Sequence, residues 1–221
     1  MLSQSIEDYL KVIYEIQNSE GKVTTNSLSQ KLNIAPASVT GMIKKLSSKK
    51  LITHKKYQGV RLTQAGENIA LEIIRHHRLI ELYLKEALGV PWDKVHEEAE
   101  KWEHVISEDI EDRMDEFLGH PTSDPHGSPI PTRDGKVVER KCLCLADVEP
   151  GHKAVIAEVS DHDPSMLRYL GKLGFYPKTK IKIDSVEPFN GPMKINIKNK
   201  VEILGREVAK HISVTDVKKV A

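Results

Sequence analysis

The sequence predicts a multi-domain, mainly α chain that ends in a small β-barrel, and three observations carry that prediction. Apolar residues recur at helical spacing over two stretches, 6–16 and 64–117. Between them, a short helix, a tight turn, a second helix and a basic hairpin make a winged helix-turn-helix pattern. After residue 142 the pattern changes to short alternating runs, A-V-I-A-E-V, I-K-I-D-S-V, I-N-I-K and V-E-I-L, around one helical piece at Pro164 to Gly171.

Ile6, Leu10, Ile13 and Ile16 give the first helix its apolar face, and that helix also carries Asp8. Thr25 reads as the cap of a short helix over Asn26 to Leu32, N-I-A-P stops it, and a third helix spans Ser38 to Lys50. Pro36, Ala37, Ser38 and Thr40 leave the start of that helix open to base edges, with Lys44 and Lys45 one turn later at phosphate height. L-I-T-H-K-K-Y-Q-G-V-R-L-T alternates about a turn at Tyr57-Gln58-Gly59, a wing that carries Lys55, Lys56, Tyr57 and Arg61. Thr63 caps the next helix. Net charge is only +1, yet Gly21 to Gly66 holds nine Lys/Arg and no Asp or Glu. A basic winged module of this kind binds double-stranded DNA.

From about Gln64 to Phe117 the pattern gives two long helices. The first contains R-H-H-R-L-I-E-L-Y-L, with His77 and Glu81 four residues apart. Trp92 to Leu118 reads as one amphipathic helix, its apolar stripe (Val95, Ala99, Trp102, Ile110 and Met114 among others) running beside H-E-E-A-E-K-W-E-H. On such a helix His96, Glu100, Glu103 and His104 fall within about a quarter-turn. Two imidazoles and two carboxylates so placed suit a divalent metal, and a solvated acidic face with two incidental histidines fits the run equally well. Asp93 to Glu116 holds eleven acidic residues against three basic, a reversal of the winged module's charge. Apolar stripes on long helices behind a winged module pair with a second copy, because a two-fold symmetric protein matches a palindromic site. After Gly119, H-P-T-S-D-P-H-G-S-P-I-P-T-R-D-G has the composition of a linker. The divisions are therefore 1–64 (winged helix-turn-helix), 65–120 (helical metal-binding and dimerisation domain), 121–141 (linker) and 142–221 (barrel).

Cys142 and Cys144 cannot make a disulfide framework and would share one face of a strand. The opening M-L-S-Q-S-I-E-D-Y-L has neither a basic n-region nor an apolar h-region, and no apolar run spans a bilayer, so a cytoplasmic location is expected, with no membrane partner.

The ordered set I-E-D-Y-L (6–10), A-S-V-T-G-M-I-K-K-L (37–46), R-H-H-R-L-I-E (75–81), V-H-E-E-A-E-K-W-E-H (95–104) and D-P-H-G (124–127) resembles the diphtheria-toxin-repressor family of metal-dependent transcriptional regulators, in its manganese-responsive branch with a C-terminal barrel. The resemblance covers the whole chain. L-A-D-V-E-P-G-H-K-A-V-I-A-E-V is similar to the SH3-like barrel of ferrous-transport accessory proteins. It implies a homodimeric repressor of metal-uptake genes that binds operator DNA when loaded with Mn(2+), with Fe(2+) as the alternative ion. It also implies a primary metal site of Asp8, Glu100, Glu103 and His104, and an ancillary site of His77, Glu81 and His96. In barrel-containing relatives the linker and barrel add ligands, which here match Asp124, His126 and Asp163, with Asp161 as the near alternative.

Three departures bear on the ion. The iron-responsive branch has Met and Cys where this chain has Asp8 and Glu100, and hard oxygen ligands favour Mn(II) over softer metals. Compact manganese regulators have an acid at Lys11, so a binuclear site of their kind is not expected. Close relatives have Cys where Asp124 stands. Two rival readings compete: a redox-sensing winged-helix regulator acting through Cys142 and Cys144, and a metalloenzyme with Glu100 or Glu103 as base. The sequence offers the enzyme no further nucleophile, and an enzyme leaves the basic wing unexplained.

Overall fold

The computed structural model describes residues 2–55, 58–138 and 140–220. They form two compact units: one contains the chain through His77 together with Glu103–Ile106 and Pro131–Lys136, the other Arg78–Trp102, Ser107–Ile130 and the residues from Val137 onward.

In the first unit, α1 (Gln4–Ser19) buries Ile6, Leu10, Ile13 and Ile16, as its spacing predicts. α2 (Thr25–Leu32) starts one residue earlier than expected because Thr24, not Thr25, is the cap. Thr24 Oγ1 accepts from Ser27 N (3.0 Å) and Ser27 Oγ accepts from Thr24 N (2.9 Å), a reciprocal pair that a cap at Thr25 could not make, since its third residue would be the core side chain Leu28. Asn33, in the left-handed region (φ 53°), ends the helix. α3 (Pro36–Ser48) also begins earlier than expected, with Pro36 in the first turn, where a missing N–H costs nothing. β1 (Ile52–Lys55) and β2 (Gly59–Leu62) pair antiparallel as the wing, and Gly59 (φ 87°) is required there because a Cβ would stand 2.3 Å from the Val23 carbonyl oxygen. Lys56 and Tyr57 lie outside the described residues. Thr63 Oγ1 accepts from Gly66 N at the start of α4 (Gln64–Glu86), which passes from the first unit into the second.

The expected single helix over Trp92–Leu118 is two: α5 (Val95–Trp102) and α6 (Glu108–Phe117). Ser107 caps α6, and Glu108, Asp109 and Glu111 place acids in its first turn, where the helix dipole favours them. That start signal overrides the continuing apolar period. Glu103 and His104 consequently stand on a turn, and the quarter-turn arc that grouped them with His96 and Glu100 does not exist.

The rest of the second unit is a six-stranded antiparallel sheet in the order β3-β8-β4-β5-β6-β7, formed by β3 (Leu143–Cys144), β4 (His152–Val159), β5 (Lys180–Val186), β6 (Met193–Ile197), β7 (Lys200–Leu204) and β8 (Ile212–Lys219). Register shifts between β4 and β8 and between β5 and β6 curl it around a core that includes Ile156, Ile183, Ile195 and Val214. α7 (Pro164–Leu173) contributes Leu167 and Leu170 to that core, and the one-turn α8 (Arg206–Ala209) precedes β8.

The Pro/Gly-rich stretch after Gly119 is not a solvated tether, for residues 124–128 are all buried. Asp124 Oδ1 accepts from His126 N (2.8 Å) and Ser128 N (3.0 Å), and the His126 carbonyl accepts from Val159 N of β4 (2.9 Å). Gly127 (φ 98°) passes so close that a Cβ would lie 2.0 Å from the Ala157 carbonyl oxygen. Among the described residues, no helix is long and apolar enough to cross a membrane.

Candidate metal centres and nucleic-acid interface

The winged module presents its expected contact residues to solvent. On α3, Val39, Ile43 and Leu46 face the core, while Pro36, Ala37, Ser38, Thr40, Lys44 and Lys45 are exposed on the opposite side. Lys55 and Arg61 are exposed on the wing strands.

The first ligand cluster lies within the first unit. Asp8, Glu103 and His104 each bring a ligand atom within 4.8 Å of the others. His104 Nδ1 is 2.7 Å from Glu7 Oε2, and since a carboxylate only accepts, that nitrogen carries the proton. Nε2 then faces Asp8 Oδ1 at 2.8 Å and Glu103 Oε1 at 3.3 Å, buried and making no hydrogen bond to either. Three lone-pair-bearing atoms thus converge on one another, an arrangement that favours a cation beside them. Histidine oriented by an outer carboxylate is the usual arrangement of an imidazole metal ligand. The donor set fits a divalent ion.

Glu103 has other cations at hand. Its side chain is wholly buried, Lys11 Nζ donates to its Oε1 at 2.6 Å, and His77 Nδ1 contacts Oε2. Burial would raise the Glu103 pKa, but the His77 hydrogen bond and the Lys11 charge outweigh it and hold the carboxyl below its ordinary range. His76 Nδ1 donates to the Glu103 carbonyl at 3.1 Å and so fixes the backbone of the turn.

The second cluster lies within the second unit and centres on Glu81, whose side chain is wholly buried. Its two oxygens serve two different groups. Oε1 is 3.2 Å from His96 Nδ1, which also has Asp161 Oδ2 at 3.5 Å and, from its other nitrogen, Glu100 Oε1 at 3.8 Å. Oε2 is 3.6 Å from His126 Nδ1, and Asp124 completes that group, with Arg78 Nε 3.7 Å from its carboxylate. His126 is fully buried, and its Nδ1 makes no hydrogen bond.

Charge is tightly constrained here. Burial works to lower the His96 pKa, but Asp161 and Glu81 push it up to about 10. His126 is moved the same way against burial, by Glu81 and Asp124, up to about 9. Burial and the neighbouring Glu81 charge push Asp124 up to about 7. Asp161 sits well below the carboxylate range, because His162 and His96 overcome its burial.

Asp163 does not join this cluster. Its Oδ1 accepts from Ser165 N (2.7 Å) and Met166 N (3.2 Å) as the cap of α7, and Asp161 is the acid beside His96 and Glu81. Glu7, Lys11, His76 and Trp92, whose carbonyl meets His126 Nε2 at 2.7 Å, also shape these clusters without having been candidates from the sequence. Glu7 had a signal as the carboxylate adjacent to Asp8, and Lys11 as the position where compact manganese regulators carry an acid.

The iron-dependent-repressor N-terminal DNA-binding domain matches residues 1–60, the iron-dependent-repressor metal-binding and dimerisation domain matches 63–132, and the FeoA domain matches 143–216. A solved structure of a manganese-dependent transcriptional repressor in complex with manganese is 36% identical, with a TM-score of 0.88 over 95% of this chain and 98% of that one. The structure of ScaR with bound Cd2+ is 31% identical, with a TM-score of 0.80 over 97% of this chain and 99% of the other. The iron-dependent repressor IdeR of Mycobacterium leprae (strain TN) is 27% identical over 196 residues, 83% of this chain and 85% of that protein. The match to IdeR of Mycobacterium tuberculosis (strain ATCC 25618 / H37Rv) spans only 56% of that protein's length. With both repressor domains and the barrel matched in order, the chain belongs to the iron-dependent repressor family, whose members are metal-dependent transcriptional repressors and not enzymes.

Proposed function

We propose that this chain is a cytoplasmic, homodimeric repressor activated by Mn(II), with Fe(II) as the alternative ion, that controls metal-uptake genes. The observation that carries the reading is the convergence of Asp8, on the first helix of the DNA-binding module, with Glu103 and His104, whose buried Nε2 makes no hydrogen bond. Glu100, one turn earlier in sequence, is the fourth ligand that family membership implies. Oxygen-rich donors favour Mn(II) over softer ions. For the second set we assign Glu81, His96, Asp124 and His126, with Asp161 in place of Asp163 and His77 kept as the family resemblance gives it. Exposed Ile110 and Phe117 on α6 are assigned to the dimer face.

A bound Mn(II) supplies two positive charges and a preference for oxygen ligands. The chain's own residues supply the rest. Without a bound metal, the turn at 103–104 meets α1 through Lys11–Glu103 and Glu7–His104, while Asp8 and the His104 lone pair repel. With that repulsion removed, α1 is tied more firmly to the turn, and because α1 packs in one core with Leu28, Val39 and Leu46, the recognition helix is tied with it. Restricting the orientations of α3 raises operator affinity without a new DNA contact, and linkage requires operator DNA to tighten metal binding by the same factor. Lys44, Lys45, Lys55, Lys56 and Arg61 contact the phosphate backbone, Tyr57 belongs to the same DNA-binding set, and Pro36, Ala37, Ser38 and Thr40 lie at the bases. The redox alternative gains no support, since burial and the nearby Glu158 raise the Cys142 thiol pKa, away from the thiolate that a sensor needs.

The test is fluorescence anisotropy with chelator-stripped protein and a duplex from upstream of its own gene, titrated with Mn(II) and, anaerobically, Fe(II). Sequence-selective binding that requires metal, tighter with Mn(II) at matched free concentration, is expected. Equal binding with and without metal overturns the reading.

A further inference from the structure

His126 can ligate a metal only through a nitrogen that carries no proton, so whatever fixes its tautomer decides which atom is the ligand. Nε2 is 2.7 Å from the backbone carbonyl of Trp92, and because a carbonyl only accepts, Nε2 must carry the proton. Nδ1 is thereby left facing Glu81 Oε2 at 3.6 Å, buried and without a hydrogen bond. The Trp92 indole stacks on the same ring, with centroids 5.7 Å apart and planes 28° apart.

What holds Trp92 belongs to the barrel. The indole is buried in the barrel core and packs on Tyr176, with centroids 4.7 Å apart. Gly171 on α7 makes room for both rings: a Cβ there would lie 2.8 Å from Tyr176 Oη and 3.2 Å from Trp92 Nε1. The next residue, Asp93, is paired with Arg168 of α7 at 3.1 Å, which pins the P-W-D segment to the same helix.

We infer that Trp92 is a positioning residue for the second metal set: it holds His126 as the Nε2–H tautomer with Nδ1 as the ligand atom, and the notch formed by Gly171 and Tyr176 makes that geometry depend on the barrel. The inference rests on the second set proposed above. It assigns the barrel a task beyond donating Asp161, namely to keep a linker histidine in its ligating form.

Two variants test it, Trp92→Phe and Gly171→Ala, the latter crowding the notch while leaving every polar group in place. Mn(II) binding is counted by electron paramagnetic resonance of the free ion. The first equivalent serves as an internal check that each variant is folded. The expected result is a second equivalent weakened about tenfold or more in both variants, the cost typical of removing an orienting group behind a metal ligand, with the first equivalent unchanged. Long-range 1H–15N NMR of the protein loaded with diamagnetic Zn(II) should show His126 protonated at Nε2 and coordinated at Nδ1, with that pattern lost or mixed in Gly171→Ala. Coordination through Nε2, or unchanged second-equivalent affinity in both variants, overturns the inference while leaving the second set intact. An unmodified protein that binds one equivalent, with the His126 signals unmoved by Zn(II), overturns the second set and the inference together, and leaves the first set and its DNA response standing.

Discussion

In the first cluster a buried carboxylate, Glu103, is neutralised by cations the chain itself provides, Lys11 at 2.6 Å and His77. In the second, Glu81 and Asp124 are buried as deeply, but the positive charge beside them is mostly imidazolium, with Arg78 at 3.7 Å from Asp124. A proton on an imidazole ligand must leave when a metal arrives, whereas a lysine need only swing aside. The first cluster is therefore set against metal by a competing cation, and the second by protons. The two clusters should respond differently to mutation and to pH.

The largest effect is expected at Asp8. Asp8→Ala removes the one ligand that the DNA-binding module contributes to the first set, and should abolish metal-dependent operator binding. Its carboxylate is partly exposed, so the metal-free fold should change by only about 1 kcal/mol or less. Anisotropy and thermal unfolding of the same preparation check both statements, and an unchanged metal response would break the link between this cluster and DNA.

Glu81→Gln is the matching change in the second cluster. Both oxygens of Glu81 are used, one toward His96 and one toward His126. The amide keeps the shape but loses the charge, and the second equivalent of Mn(II) should weaken about a hundredfold, near the upper end for groups that support a metal site. The first equivalent should not move, and if both weaken equally the clusters are not separable.

A graded effect is expected from pH. His96 and His126 are raised to about 10 and about 9, so the stability they lend the metal-free protein is complete below about pH 6.5 and is lost as pH rises through those values. Metal binding runs the other way, since each imidazole must give up its proton. Affinity of the second equivalent should rise about tenfold or more per pH unit between pH 6.5 and 8.5. Calorimetry in buffers of different ionisation enthalpy would count the protons released, and a count of zero would contradict the imidazolium assignment.

How much of this was legible in the sequence depended on how local the cause was. Ile6, Leu10, Ile13 and Ile16 announced their buried face because helical periodicity is a local property, and so did Thr63 as a cap and the wing hairpin. The clustering of Glu103 with Asp8 was not legible from spacing, which placed it on one long helix. Ser107 and the acids after it were the overlooked stop, and only the family resemblance brought Asp8 to Glu103 and His104. Asp163 against Asp161 could have been decided, since Pro164 in the first helical turn makes Asp163 a cap with its oxygen already committed. Trp92 had no sequence signal. Its role comes from a carbonyl that meets a histidine 34 residues away, and backbone atoms leave no trace in composition.

Lys11→Met sharpens the comparison from the other side and carries the smallest expected change in affinity. Lys11 Nζ occupies Glu103 Oε1, the same oxygen that faces His104 Nε2 at 3.3 Å. If the ammonium is a competitor, removing it should tighten the first equivalent of Mn(II) about tenfold, equal to about 1.4 kcal/mol. The metal-free protein should become less stable, because the wholly buried Glu103 loses the Lys11 ammonium and keeps the His77 contact, and breaking a buried pair on one side costs about 3 kcal/mol. Opposite signs in the two measurements mark a competitor. Weaker metal binding together with lower stability would instead mean that Lys11 holds the Glu103 carboxylate in its ligating position, and the first cluster would then resemble the second, where the surrounding protein orients the ligand and does not oppose the ion.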